Sequence, residues 1–209
     1  MEIMMIVGLL TGLATLFLGQ GYYQKRFEEA MPDIKLYRVI QLVIPVAVAG
    51  LFARYEYDAL RSGQLIVLAS LLILAGKIDK HKKIIPNAII GVLLLTKAVA
   101  LAIEFIFGRS DFAADFANGF LGFAVMAITF SVVRLIYKSS IGMGDIKLMV
   151  VIGLYLGVMR SMYILLVASI AAMAVSLVSM ARKKMGMKDG LSFGPSIALG
   201  GLIVLILGI

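Results

Sequence analysis

Two aspartates stand out in a chain otherwise poor in charge. Asp145 closes the stretch Gly142-Met143-Gly144-Asp145, where a polar loop enters a long apolar run. Asp79 ends an earlier apolar run, in Lys77-Ile78-Asp79-Lys80-His81. An ionisable side chain at the edge of hydrocarbon is costly, so a functional role with a nearby partner is the default expectation. Two carboxylates held close resist double ionisation, and one keeps a proton while the other is charged. The charged one can take a proton from water, and the protonated one can polarise a peptide carbonyl. That chemistry needs no metal, cofactor or covalent intermediate. Simpler roles stay open: Gly-x-Gly as a turn with Asp145 as helix N-cap, and Asp79 as a solvated acid offsetting the lysines around it.

The elements that position these groups follow from composition. The chain has 209 residues, 62% of them hydrophobic and 15% charged, with a mean hydropathy of +1.03. A soluble domain is nearer half apolar and a quarter charged. The expected fold is therefore all-α, a polytopic membrane helix bundle forming a single domain over residues 1–209. A crossing takes about 20 apolar residues as helix. Candidate spans are 3–19, 37–53, 62–76, 88–107, 112–136, 146–159, 162–180 and 193–208, about eight in all. The run 146–181 is too long for one span. The turn is placed at Met159-Arg160-Ser161, and a kinked single span there would give seven crossings. The start Met1-Glu2 followed by apolar residues reads as a first span with its N-terminus outside, not as a cleavable signal peptide. Residues 20–36 are expected to form a short amphipathic or irregular connection, with Glu28, Glu29 and Asp33 solvated.

Basic residues set the orientation. Lys25, Arg26, Lys35, Arg38, Lys77, Lys80, Lys82, Lys83, Arg134, Lys138, Lys147, Arg182, Lys183, Lys184 and Lys188 fall on one side, and only Arg54, Arg61, Arg109 and Arg160 on the other. The first side is expected to face the cytoplasm of a plasma-membrane protein. Two spans separate Asp79 from Asp145, so parity returns both to that side. The formal net charge of +8 is explained by this topology without invoking nucleic acid. With no cysteine and a single histidine, His81, thiolate sites and His-based metal clusters are excluded.

Three stretches, in order, resemble the type IV prepilin peptidases, which are GxGD aspartic membrane proteases. They are Asp79 with Ile85-Pro86-Asn87; Gly142-Met143-Gly144-Asp145-Ile146-Lys147-Leu148 followed by Gly153 and Gly157; and Leu191-Ser192-Phe193-Gly194-Pro195 with Ala198-Leu199-Gly200. The resemblance covers roughly residues 60–209, the expected catalytic core, and residues 1–60 match in hydropathy only. It implies cleavage of the short basic leader from type IV prepilins or pseudopilins, with Asp79 and Asp145 catalytic, Gly142 and Gly144 shaping the loop, and Phe193, Gly194 and Pro195 supporting the site. Many relatives carry a domain with paired CxxC motifs after the first span and also N-methylate the new N-terminus. The absence of cysteine and the short 20–36 connection predict a peptidase without methyltransferase activity.

Other residues carry less. Lys97 and Glu104 share a face of the fourth span and are expected to pack toward the bundle interior. Lys147 could act on a carboxylate or bind lipid headgroups. Pro86 is expected to open the fourth helix, and Gly119, Gly122, Gly153, Gly157, Gly200 and Gly201 to permit close helix packing. The expected partners are prepilin-type precursors and the bilayer. The alternatives are an archaeal preflagellin-type or Flp-type pilus peptidase, or a small proton- or cation-coupled transporter, whose site would lie nearer mid-membrane.

Overall fold

The computed structural model describes residues 2–29, 35–54, 58–110, 112–136, 142–182 and 192–208. Every regular element among them is an α-helix: α1 (Glu2–Phe27), α2 (Lys35–Arg54), α3 (Ala59–Lys82), α4 (Asn87–Ile106), α5 (Phe112–Ile136), α6 (Met143–Ala181) and α7 (Gly194–Leu207). Five contain segments long and apolar enough to cross a bilayer, and α2 and α7 are shorter apolar helices. The chain is a multi-pass helical membrane protein. Lys138, Lys183, Lys184, Lys188, Asp33 and Leu191 lie outside the described residues.

The central helix is α3, in which every residue from Leu68 to Asp79 is buried. No charge interrupts it between Arg61 and Lys77, so its whole circumference can be covered by α1, α2, α4 and α7. Gln41 of α2 ties three helices together, its amide donating to Thr15 Oγ1 of α1 at 2.8 Å and to the Ser70 carbonyl of α3 at 3.0 Å. Backbones approach closely at glycine, as small-residue packing in membranes requires. A Cβ on Gly153 would lie 2.5 Å from the Gly122 carbonyl oxygen, and one on Gly200 2.8 Å from that of Ile164.

Two helices run further than hydropathy indicates. α1 continues past residue 19 to Phe27, so the first half of the expected connection is helix. Its added turns carry Tyr23, which is buried, and Phe27, with the Lys82 ammonium over both rings and paired to Glu29 at 2.6 Å. Similarly, α3 continues past residue 76 to Lys82, because long lysine side chains can extend from a buried helix end toward water.

α6 turns two residues before the expected place. Its backbone leaves helical geometry at Gly157, with φ 76° and ψ −173°, a conformation that favours glycine. The Asn118 carboxamide fills the space where a side chain would begin. Arg160 and Ser161 are helical, and the Ser161 hydroxyl donates to the Gly157 carbonyl at 2.6 Å. Asp145 and Ser176 line one cavity of about 590 Å³, whereas a continuous helix would separate them by about 45 Å. The chain therefore doubles back at Gly157, and α6 supplies two antiparallel legs. Among the described residues this gives eight helical legs, α6 supplying two of them.

Candidate active site

Asp79 sits in the last turn of α3 and is 4% exposed, so it is not a solvated acid among lysines. Its Oδ2 accepts the Gly194 backbone N–H at 2.8 Å. The reason lies in the start of α7. The first N–H groups of a helix have no internal acceptor, and Phe193 at the N-cap position has no side chain able to supply one. Asp79 supplies it from another helix. Gly194 is required by this contact, since a Cβ there would lie 2.8 Å from the same Oδ2. Pro195 follows in the first turn of α7, where its missing N–H costs nothing. Its Cα packs 3.2 Å from where a Cβ on Gly76 would be.

Asp145 is not the N-cap of α6. Gly142 takes that position, the helix begins at Met143, and Asp145 falls in its first turn. Its Oδ1 is buried and has no hydrogen-bond partner among the described residues. Its Oδ2 lies 3.0 Å from where a Cβ on Gly142 would sit. Gly144 serves close packing: a Cβ there would lie 2.9 Å from Ile85 Cβ, so the segment after α3 presses on the start of α6. Pro86 is the N-cap of α4, one position before its first helical residue. Asp79 is near enough for its charge to be felt at Asp145. The last turn of α3, the first turn of α6 and the start of α7 thus bring together Asp79, Gly142, Gly144, Asp145, Phe193, Gly194 and Pro195. Lys147 stands apart, donating to Asn87 Oδ1 at 3.0 Å.

Asp145, Gly142 and Phe193 border the 590 Å³ cavity between α5 and the returning leg of α6. Thr129 and Phe130 line it from α5, and Ser169, Ala172, Met173 and Ser176 from α6. None of these lining residues stood out in the sequence. They recur at helical spacing, but only the reversal at Gly157 turns them toward Asp145. The cavity runs from Asp145 to the outer surface of the bundle, since Met173 on its wall is 60% exposed.

Lys97 and Glu104 do not join this site. Both are buried and are linked through Gln64, whose Oε1 accepts from Lys97 at 3.3 Å and whose Nε2 donates to Glu104 Oε1 at 3.4 Å. They pack toward the bundle interior as expected, with the neutral Gln64 as the unforeseen link.

Residues 66–177, just over half of the chain, match the type IV leader peptidase family. The chain belongs to the type IV leader peptidase family. Over 68 residues it is 40% identical to the prepilin leader peptidase/N-methyltransferase of Burkholderia pseudomallei strain 1026b, covering 32% of this chain and 22% of that one. Over 143 residues it is 29% identical to the prepilin leader peptidase/N-methyltransferase of Bacillus subtilis strain 168, covering 68% of this chain and 55% of that one. The matches therefore span about a fifth and about half of the length of these curated relatives. No solved structure matches the chain. The leader-peptidase match includes both aspartates and both legs of α6 up to residue 177, and stops short of α7.

Proposed function

We propose that this leader-peptidase-family chain is an aspartic endopeptidase that removes the short basic leader from type IV prepilins or pseudopilins. Asp79 and Asp145 are its catalytic pair, and the lysine-rich end of the bundle faces the cytoplasm. One observation carries the reading: Asp79 and Asp145, from helices distant in sequence, lie within electrostatic range of each other at that end, and Asp145 lines a cavity whose wall residue Met173 is exposed. The family match and the names of the two relatives agree with it.

The chemistry needs one proton shared by the pair. The ionised carboxylate removes a proton from water as the oxygen attacks the scissile carbonyl carbon, and the protonated carboxyl gives its proton to the carbonyl oxygen. The resulting diol collapses as the C–N bond breaks. The nitrogen takes a proton from the first carboxyl, and the diol returns one to the second, which restores the shared-proton state. Gly194 holds one aspartate through its N–H, and the packing of Gly144 on Ile85 fixes the turn that carries the other.

Methylation of the new N-terminus is not part of this activity. The chain has no cysteine for the paired CxxC motifs, and few residues separate α1 from α2. The test is cleavage, in proteoliposomes, of a precursor with a basic leader, a glycine before the cut and an apolar helix after it. Wild type is expected to release the leader, and Asp79→Asn and Asp145→Asn to lose at least about a hundredfold in rate. Cleavage retained by either variant would refute the paired-carboxylate mechanism. A methylated product made with S-adenosylmethionine would refute the restriction to peptidase activity.

A further inference from the structure

Hydrolysis of a peptide bond at the end of a membrane helix requires that helix to unwind locally, which frees backbone N–H and C=O groups. In hydrocarbon each freed group needs a partner. The cavity that Asp145 lines is also lined by three hydroxyl-bearing residues, Thr129 of α5 and Ser169 and Ser176 of α6. Ser169 is committed in a useful way. Its hydroxyl hydrogen is donated to the Leu165 carbonyl at 2.7 Å, which leaves its oxygen as an acceptor. A hydroxyl oxygen keeps two lone pairs when it donates. Ala172, between the two serines, leaves room for a backbone to approach, and the cavity falls within the roughly 300–1,000 Å³ range of binding pockets.

A second apolar groove provides a contrast. It runs between α1 and α4 over α3 as two cavities of about 420 and 430 Å³ that share Val67 and Thr96. Neither aspartate lines it.

We propose that the groove between α5 and the returning leg of α6 seats the substrate residues that follow the scissile bond, with Ser169 accepting one of their backbone N–H groups. This rests on the peptidase reading. Ser169 positions substrate and takes no part in proton transfer, so its loss acts mainly on KM.

The test uses the full chain in proteoliposomes with the same precursor. Ser169→Ala is expected to lower kcat/KM roughly 3- to 10-fold, the worth of one hydrogen bond, mostly through KM, and Ser169→Thr to stay near wild type. Ala172→Leu fills the groove and is expected to cost at least about tenfold, whereas Ala88→Leu in the α1–α4 groove leaves cleavage unchanged. Because the chain has no cysteine, single-cysteine variants give a direct readout. Ser176→Cys should form a disulfide with a precursor carrying one cysteine just after the cleavage site, and Ala88→Cys should not. Should wild type fail to cleave, the peptidase reading falls and this inference with it. Should wild type cleave while Ala88→Cys cross-links and Ser176→Cys does not, or while Ala172→Leu and Ser169→Ala keep wild-type KM, the groove assignment is overturned and the peptidase reading stands.

Discussion

The two ends of the bundle hold their buried acids differently, although the lysine-rich end has a surface ion pair of its own, Lys82 with Glu29 at 2.6 Å. At the end away from the lysines, described acids sit beside bases: Asp58 with Arg109, Asp115 with Arg61 at 2.8 Å, and Glu104 with Lys97 through Gln64. At the lysine-rich end, two carboxylates are brought within electrostatic range of each other, one held by a backbone N–H and the other beside a cavity. A buried charge without its opposite is expensive, and at Glu104 the match is partial: Oε1 accepts from Gln64 while Oε2 has no hydrogen-bond partner among the described residues. Two carboxylates brought together resist double ionisation, which fits the catalytic role proposed for them. Burial alone would not separate the two clusters, since Asp79, Lys97 and Glu104 are all about equally hidden.

The largest effects should break this contrast most cleanly. Asp79→Asn or Asp145→Asn should abolish most cleavage, by the hundredfold or more stated above, while thermal unfolding in detergent stays near wild type. At the other end the pattern should invert. Lys97→Met leaves the buried Gln64 Oε1 without its donor and Glu104 without a nearby positive charge, at a cost of about 1–3 kcal/mol of stability, with kcat of the folded protein unchanged. Lys97→Met combined with Glu104→Met and Gln64→Met, which leaves no member of this hydrogen-bonded chain buried without a partner, should recover most of that loss. If Lys97→Met lowers kcat in protein that melts normally, the two ends are not divided as argued.

Much of this contrast was legible in the sequence, and the reasons are physical. Bilayer thickness fixes span length, so hydropathy located the helices, and parity put Asp79 and Asp145 at one end without any structure. The ends of α1 and α3 are not legible, because Tyr23 continues its helix by packing inward and Lys80 and Lys82 continue theirs by reaching toward water. Gly157 looked like the other glycines of the chain, and its positive φ is a property of the backbone. The Asp79–Gly194 bond joins distant segments; its trace in sequence is a helix start, Phe193-Gly194-Pro195, with no capping side chain. Gln64 carries no charge, so nothing in the sequence marks it as the link.

The smaller effects sharpen the comparison. Gly194→Ala places a methyl group 2.8 Å from Asp79 Oδ2 and must displace either the carboxylate or α7. Misplacing a catalytic group by about 1 Å can cost on the order of a hundredfold. Gly194→Ala should therefore lower kcat by roughly 10- to 100-fold, with a smaller change in KM. Gly157→Ala meets an unfavourable φ and the Asn118 carboxamide and should cost about 1–3 kcal/mol of stability. Cleavage at the wild-type rate by Gly194→Ala would show that α7 does not hold Asp79 in its working position.

The smallest effect tests the paired end by pH. The Arg109 guanidinium hydrogen-bonded to Asp58 holds its carboxyl below the ordinary value of 3.8 in the folded protein. A carboxyl lowered by folding adds stability above its unfolded pKa, about 3.9, and that stability is lost as pH falls through the folded value. The contribution is therefore present at pH 7 and disappears in the region below about pH 4. Both partners are more than a third exposed, so solvent screening limits it to less than about 1 kcal/mol. Asp58 also accepts from the Leu60 N–H at the start of α3, a role that asparagine fills nearly as well. Asp58→Asn thus isolates the ion pair. Its melting temperature should lie slightly below wild type at pH 7, and the gap should close in acid while cleavage at pH 7 is unchanged. A gap that stays constant across the pH range would assign the loss to capping, and the paired charges at this end would then contribute through geometry instead of neutralisation.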